Sequence, residues 1–164
     1  MKYYIAIDNG VSGSISYIDE DKKDYAFFHI PTKIMFDYNK SGQKIRRIDH
    51  KELKSMIRLI KEKSSDQFCL VEKPFTMPKR YKASISAAKS LEAVLIVLEQ
   101  LNIPYEIIGS SQWQKVMLKG IKGRENLKPA SLQVGQKLFP KVMKVKTEDF
   151  DSLLMAEYGR RSKL

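Results

Sequence analysis

The sequence predicts an α/β protein, a mixed five-stranded sheet with helices on both faces. Three short apolar runs separated by close turns open the chain, as in an antiparallel meander. After residue 49, helix-period segments alternate with short apolar strands, a pattern that requires crossover connections onto the same sheet. The 164 residues with 43% hydrophobic content suit one core, so a single domain over 1–164 is expected.

"KYYIAID" (about 2–8) and "SGSISYID" (about 12–19) read as two strands joined by an Asn-Gly turn, and "KDYAFFHIP" (about 23–31) as a third, ended by Pro31. Residues 32–48 are polar and basic, with "NKSGQK" as a loop tip. "DHKELKSMIRLIKEKS" has Asp49 as N-cap and apolar residues at 53, 56, 57 and 60, the spacing of a helix. "QFCLVE" is a short buried strand that ends on Glu72, and "KPFTMPKRYK" is a proline-punctuated loop. "SISAAKSLEAVLIVLEQLN" is apolar along most of its length and predicts a central helix. "IPYEIIG" is the last strand. "SSQWQKVML" begins a short, serine-capped helix, and "KGIKGREN" is a glycine- and lysine-rich loop. "KPASLQVGQKLFP" predicts a helix closed by Pro140, and "KTEDFDSLLMAEYGRRS" a final one closed by Gly159. The main elements run βββαβαβαα. In such a sheet the first strand lies centrally beside the strand after the first helix, so Asp8 and Glu72 should converge.

Thirty Lys plus Arg against nineteen Asp plus Glu give a net charge of +11, which favours a polyanionic partner, most often nucleic acid. The charge is unevenly placed. Residues 73–89 hold five basic side chains and no acid, and residues 33–63 hold ten against four. No apolar stretch reaches the ~18 residues that span a bilayer, so no membrane partner is expected. "MKYYIAIDNG" has too short an apolar run for a signal peptide, which points to the cytoplasm. A single cysteine, Cys69, excludes disulfide and cysteine–zinc frameworks and reads as a small core side chain.

Two acids at the ends of neighbouring apolar strands repel one another unless a cation lies between them. Mg²⁺ prefers such hard oxygen donors, and a pair of ions roughly 3.5–4 Å apart suits in-line phosphodiester displacement. Candidates to complete the cluster lie in "TEDFDSLLMAEYGRR". Glu148 and Asp151, three apart, share one face at the start of the last helix, with Leu154 and Met155 continuing that face into the core. An acid in a first turn also serves as ordinary capping. Asp149 reads as a cap or solvent residue.

Together, "IAIDNGVSGSISYID", "CLVEKPF", "SISAAKSLEAVLIVLEQL", "IPYEIIGSSQW" and "EDFDSLLMAEYG" resemble a RuvC-like Holliday junction resolvase, nearest the branch with phage and chloroplast members. The resemblance implies a ribonuclease-H-like fold and a homodimer that binds four-way junction DNA. It implies symmetric, Mg²⁺-dependent cuts, with Mn²⁺ as a substitute and two ions per site, in a bacterial or phage-infected cell. Asp8 matches the first-strand acid and would bridge both ions. Glu72 matches the acid ending the fourth strand, and Asp151 the final-helix acid; each would hold one ion. Glu148 matches the acid or histidine one turn earlier, which helps the attacking water; Asp149 fills that place after a small shift. Gly10 and Gly13 would let the scissile phosphate approach the turn.

For DNA, the resemblance makes Lys115 a phosphate contact, with Lys119, Lys122, Arg124 and Lys128 in and after the lysine-rich loop. Lys73, Lys79, Arg80 and Lys82 follow Glu72 directly. Phe75, Met77 and Tyr81 would either wedge between bases or pack their own loop. Trp113 reads mainly as a core anchor, and His29 and His50 carry no assigned chemistry. "DNGVSGSISYID" also fits the phosphate loop of actin-like sugar kinases loosely, but 164 residues cannot hold that two-domain fold. A ribonuclease H or another branched-DNA nuclease of the same fold stays open. So does a non-catalytic nucleic-acid module, although four acids at motif positions would weaken phosphate binding.

Overall fold

The structure, a computed structural model, describes residues 1–37, 41–144 and 149–164. Strands β1 (Tyr3–Asp8), β2 (Ser14–Asp19) and β3 (Tyr25–His29) form the expected meander. They are followed by a separate hairpin of β4 (Thr32–Phe36) and β5 (Lys44–Ile48), where the sequence shows only a polar, basic stretch with a loop tip. Most of that hairpin is exposed, so no buried face imposes an apolar alternation. Helix α1 (His50–Lys61) follows, with Asp49 accepting the Lys51 and Glu52 N–H groups at 3.1 and 3.4 Å. Next come β6 (Gln67–Glu72), α2 (Tyr81–Gln100) and β7 (Tyr105–Ile108). The three helices expected after the last strand close the chain: α3 (Ser110–Met117), α4 (Arg124–Leu138) and α5 (Asp151–Ser162).

The main sheet is ordered β3-β2-β1-β6-β7, with β1 antiparallel to β2 and parallel to β6. Side chains alternate across a strand, and that alternation sorts the core. Ile5 and Ile7 join α1 and α2 on one face through Leu53, Ile57, Val94 and Leu98. Ala6 and Leu70 join Trp113, Phe139, Phe150 and Leu154 on the other. Asp8 shares parity with Ala6, and Glu72 with Leu70, so both acids belong to the face of α3, α4 and α5.

Small residues bring α5 close to the centre of the sheet. The Ser152 hydroxyl hydrogen-bonds those of Ser14 and Ser16 at 2.8 and 2.7 Å. A Cβ at Gly159 would meet Leu70 at 3.0 Å. Gly159 therefore sits inside α5, where a side chain would crowd Leu70 on the sheet, and does not close it. The helix ends at Lys163, whose φ of 53° is left-handed. Two other boundaries shift. α3 starts from Gly109, whose N–H donates to the Gln112 side chain at 2.7 Å, with no serine cap. α4 begins at Arg124, so the end of the expected lysine-rich loop is its first turn.

Candidate nucleic-acid and metal site

The site lies at the C-terminal edge of the two central strands. β1 and β6 pair in parallel up to Ile7 and Val71, so the residues that end the two strands, Asp8 and Glu72, stand side by side at the sheet's edge. Their carboxyls are close enough for a hydrogen bond between them. Asp151, the first residue of α5, and Asp149 just before it complete the group. Asp149 accepts the Asp151 N–H at 2.8 Å, as a cap would, yet its charge also acts on Asp8 and Asp151. Capping and membership of the cluster are thus one arrangement. Glu148 lies outside the described residues.

The acids are held in a costly state. Burial, then the charge of Glu72 and a hydrogen bond with it, then Asp149 and Asp151, push the Asp8 carboxyl from 3.8 to about 9. Burial, then Asp149, push Asp151 to about 6, with Glu72 adding to the rise and Ser131 and Lys128 opposing it. Ser131 on α4 is buried, and its hydroxyl donates to Asp151 Oδ1.

These residues fit a divalent cation. The donors are hard carboxylate oxygens, and added positive charge would offset the burial and repulsion that raise the Asp8 carboxyl. Beside Asp8, Asn9 donates from Nδ2 to the Ala87 carbonyl of α2 at 3.1 Å, while its Oδ1 is buried without a partner. Among the described residues, no three His, Cys, Asp or Glu side chains already stand at ion-ligating spacing.

The turn after β1 explains its glycines differently from the sequence. A Cβ on Gly13 would lie 2.0 Å from the Asp8 carbonyl oxygen. The missing side chain makes room for the chain's own backbone, and the Gly13 N–H closes the turn onto the Gly10 carbonyl at 3.0 Å. Gly10 has φ +146° with open space where a Cβ would go.

No protein-family model and no curated protein matches this sequence. Solved structures do match. The Thermus thermophilus RuvC structure is 12% identical with TM-score 0.59, covering 98% of this chain and 96% of that one. T. thermophilus RuvC in complex with Holliday junction substrate is 10% identical with TM-score 0.55, covering 99% and 96%. The fold is that of RuvC, the ribonuclease-H-like sheet expected from the sequence.

The nine basic candidates, Lys73, Lys79, Arg80, Lys82, Lys115, Lys119, Lys122, Arg124 and Lys128, are all exposed. Phe75 and Tyr81 are exposed at 69% and 71%, while Met77 is half-buried. The Arg124 guanidinium lies over the Phe75 ring, 5.5 Å from its centroid, tying the loop after Glu72 to the start of α4. His29 lies exposed on β3.

Sequence reasoning missed three things. Trp113 is buried as expected, but its Nε1–H also donates to Glu72 Oε1 at 3.1 Å. Ser131 carried no motif at all. The third is a groove of about 340 Å³ between the β4–β5 hairpin and α2, reaching Val11 in the turn after Asp8. Arg46, Arg47, His50, Lys82 and Lys89 line it against one acid, Asp37. The excess of basic residues over 33–63 and 73–89 was its visible signal.

Proposed function

We propose that this protein is a divalent-metal-dependent endonuclease that cuts four-way DNA junctions, acting as a homodimer with one acid cluster per subunit. The observation that carries the reading is the convergence of Asp8, Glu72 and Asp151 at one edge of a RuvC fold, inside a strongly basic surface. That placement, with Asp8 and Glu72 at strand ends and Asp151 at a helix start, agrees with the motif order by which the sequence resembles a RuvC-like resolvase.

Asp8, Glu72 and Asp151 would hold the ions, two per site, Mg²⁺ in the cell and Mn²⁺ in substitution. Bound ions would supply the charge that activates water and stabilises both oxygens of an in-line phosphodiester hydrolysis. Glu148 would position the attacking water, with Asp149 as the alternative. Lys128, whose charge reaches Asp151, would hold the phosphate beside the cluster, and Lys73, Lys115, Lys119 and Lys122 the flanking backbone. Lys79 and Arg80 just before α2, with Lys82 in its first turn, lead to the basic groove, whose Arg46 and Arg47 would carry a duplex arm. Phe75, steadied by Arg124, would stack on a base at the crossover. No helix among the described residues is long and apolar enough to cross a membrane, in keeping with a cytoplasmic enzyme.

The test is cleavage of a synthetic four-way junction beside linear duplex and RNA–DNA hybrid, with and without Mg²⁺. Paired symmetric nicks on the junction alone, only with metal, are the expected result. Cutting of the hybrid would move the protein to the ribonuclease H side of the fold. Binding without cutting of any substrate would overturn the nuclease reading.

A further inference from the structure

We propose that Trp113 is a positioning residue, whose indole N–H fixes the Glu72 carboxylate for a divalent cation and makes the chain's single tryptophan an internal reporter of that ion. The inference rests on the reading of the acid cluster as an ion site.

Packing alone does not account for a tryptophan here. Trp113 is 1% exposed in a core whose neighbours include Phe139 and Phe150, so a purely apolar ring would fill the same kind of space. A buried indole brings an N–H that costs about 1–3 kcal/mol if left unpaired. Its partner is the Glu72 side chain, 41 positions away, at 3.1 Å. Tryptophan has no acceptor at that nitrogen, so the bond has one polarity, with the carboxylate oxygen accepting.

The register makes the contact rigid. Glu72 pairs with Ile108 across β6 and β7, and the Lys73 N–H donates to the Ile108 carbonyl at 2.7 Å. Gly109 then starts α3 at once, held by Gln112. Trp113 thus stands five residues beyond the strand partner of Glu72, at the end of the first helical turn. The indole takes one lone pair of Oε1 and sets the Glu72 rotamer, which a free glutamate would have to order on binding an ion. Such supports typically matter by about 10–100-fold in metal affinity or activity.

The first arm of the test needs no DNA. Mg²⁺ is titrated into the chelator-treated protein while tryptophan emission and thermal denaturation are followed. The expected result is a saturable emission change tracking the ion-induced rise in Tm, with both the change and the metal-free emission altered in Glu72→Ala. A rise in Tm without an emission change overturns the positioning role and leaves the ion site standing. No response of either quantity overturns the ion site and the inference with it.

The second arm is Trp113→Phe, which keeps a ring and removes the N–H. The Mg²⁺ concentration for half-maximal junction cleavage should rise about 10–100-fold, with junction affinity kept and cleavage recovering at high Mg²⁺. A variant that loses Tm but keeps the wild-type Mg²⁺ dependence shows a packing role only and refutes the inference. If it does not fold, the Glu72→Ala emission experiment decides.

Discussion

Replacing Asp8 by Asn should abolish cleavage and, in the presence of a chelator, make the protein more stable. Burial and the neighbouring Glu72 lift the Asp8 carboxyl from 3.8 to about 9 in the folded state. At pH 7 the folded protein therefore carries the proton and the unfolded chain does not, so folding must take one up. The cost is about 1.4 kcal/mol for each pH unit above the unfolded value, or about 4 kcal/mol at pH 7. A raised carboxyl contributes full stability below its unfolded pKa and loses it as the pH climbs toward the folded one. Asparagine is neutral at every pH and nearly the same shape, so it removes this cost at the expense of some hydrogen bonding.

A net gain of about 2–4 kcal/mol corresponds to a Tm about 5–10 °C higher for a chain of this size. The assay is thermal or urea denaturation of both proteins in chelator at pH 5, 7 and 8.5. The gap should be small at pH 5 and widen with pH. Adding Mg²⁺ should raise the Tm of the wild type and change the variant less, since the variant has lost an ion ligand. Junction affinity in chelator at pH 7 should hold in the variant, because the wild-type carboxyl is already neutral there and asparagine keeps its shape. A variant no more stable than wild type at pH 8.5, or a gap indifferent to pH, would refute the picture of crowded, desolvated carboxylates.

Gly13→Ala should lower stability by about 2–4 kcal/mol and cleavage at least about 100-fold, since its Cβ falls 2.0 Å from the Asp8 carbonyl; denaturation and cleavage rates check both. Glu157 is buried and paired with Arg160 and Arg161, each at 2.7 Å. Burial would raise its pKa, but the two guanidiniums prevail and hold it below 4.5, so its stabilisation is present above that pH and fades as the pH falls. Glu157→Gln should therefore cost about 2–3 kcal/mol at pH 7 and much less at pH 3.5, by denaturation at the two pH values. Lys119, Lys122 and Arg124 changed together to Gln should reduce the slope of log affinity against log salt by about 0.9 for each phosphate they no longer neutralise, without changing substrate choice, as binding titrations at several salt concentrations would show.

Strand parity and strand order made half of the site legible in the sequence. "YYIAID" and "QFCLVE" are short, apolar and end in an acid, and a crossover helix between a meander and the next strand makes them parallel neighbours. From that, Asp8 beside Glu72 follows without coordinates. The hairpin at 32–48 was hidden because exposed strands carry no apolar alternation, and with it went the basic groove. The start of α5 was misplaced for a related reason. "KTEDFDS" has good capping residues at several positions, and the choice among them depends on Phe150 entering the core against Gly135, where any Cβ would lie 2.2 Å from its ring. Local propensity cannot see that packing.

Trp113 and Ser131 were illegible for a different reason, and it says how the site is built. The acids stand where they do because strands and a helix start put them there, and residues of those kinds leave patterns in a sequence. The donors that orient the acids come from α3 and α4, and each contributes a side chain equally at home in an apolar or small-residue core. Trp113 satisfies its N–H only through Glu72, and Ser131, buried on α4, donates to Asp151. Replacing either donor with an apolar residue of similar size would preserve the hydrophobic pattern and remove a support of the site. Function in this chain is therefore written twice, once in acids that the strand pattern exposes, and once in core positions whose polar atom donates to one of those acids.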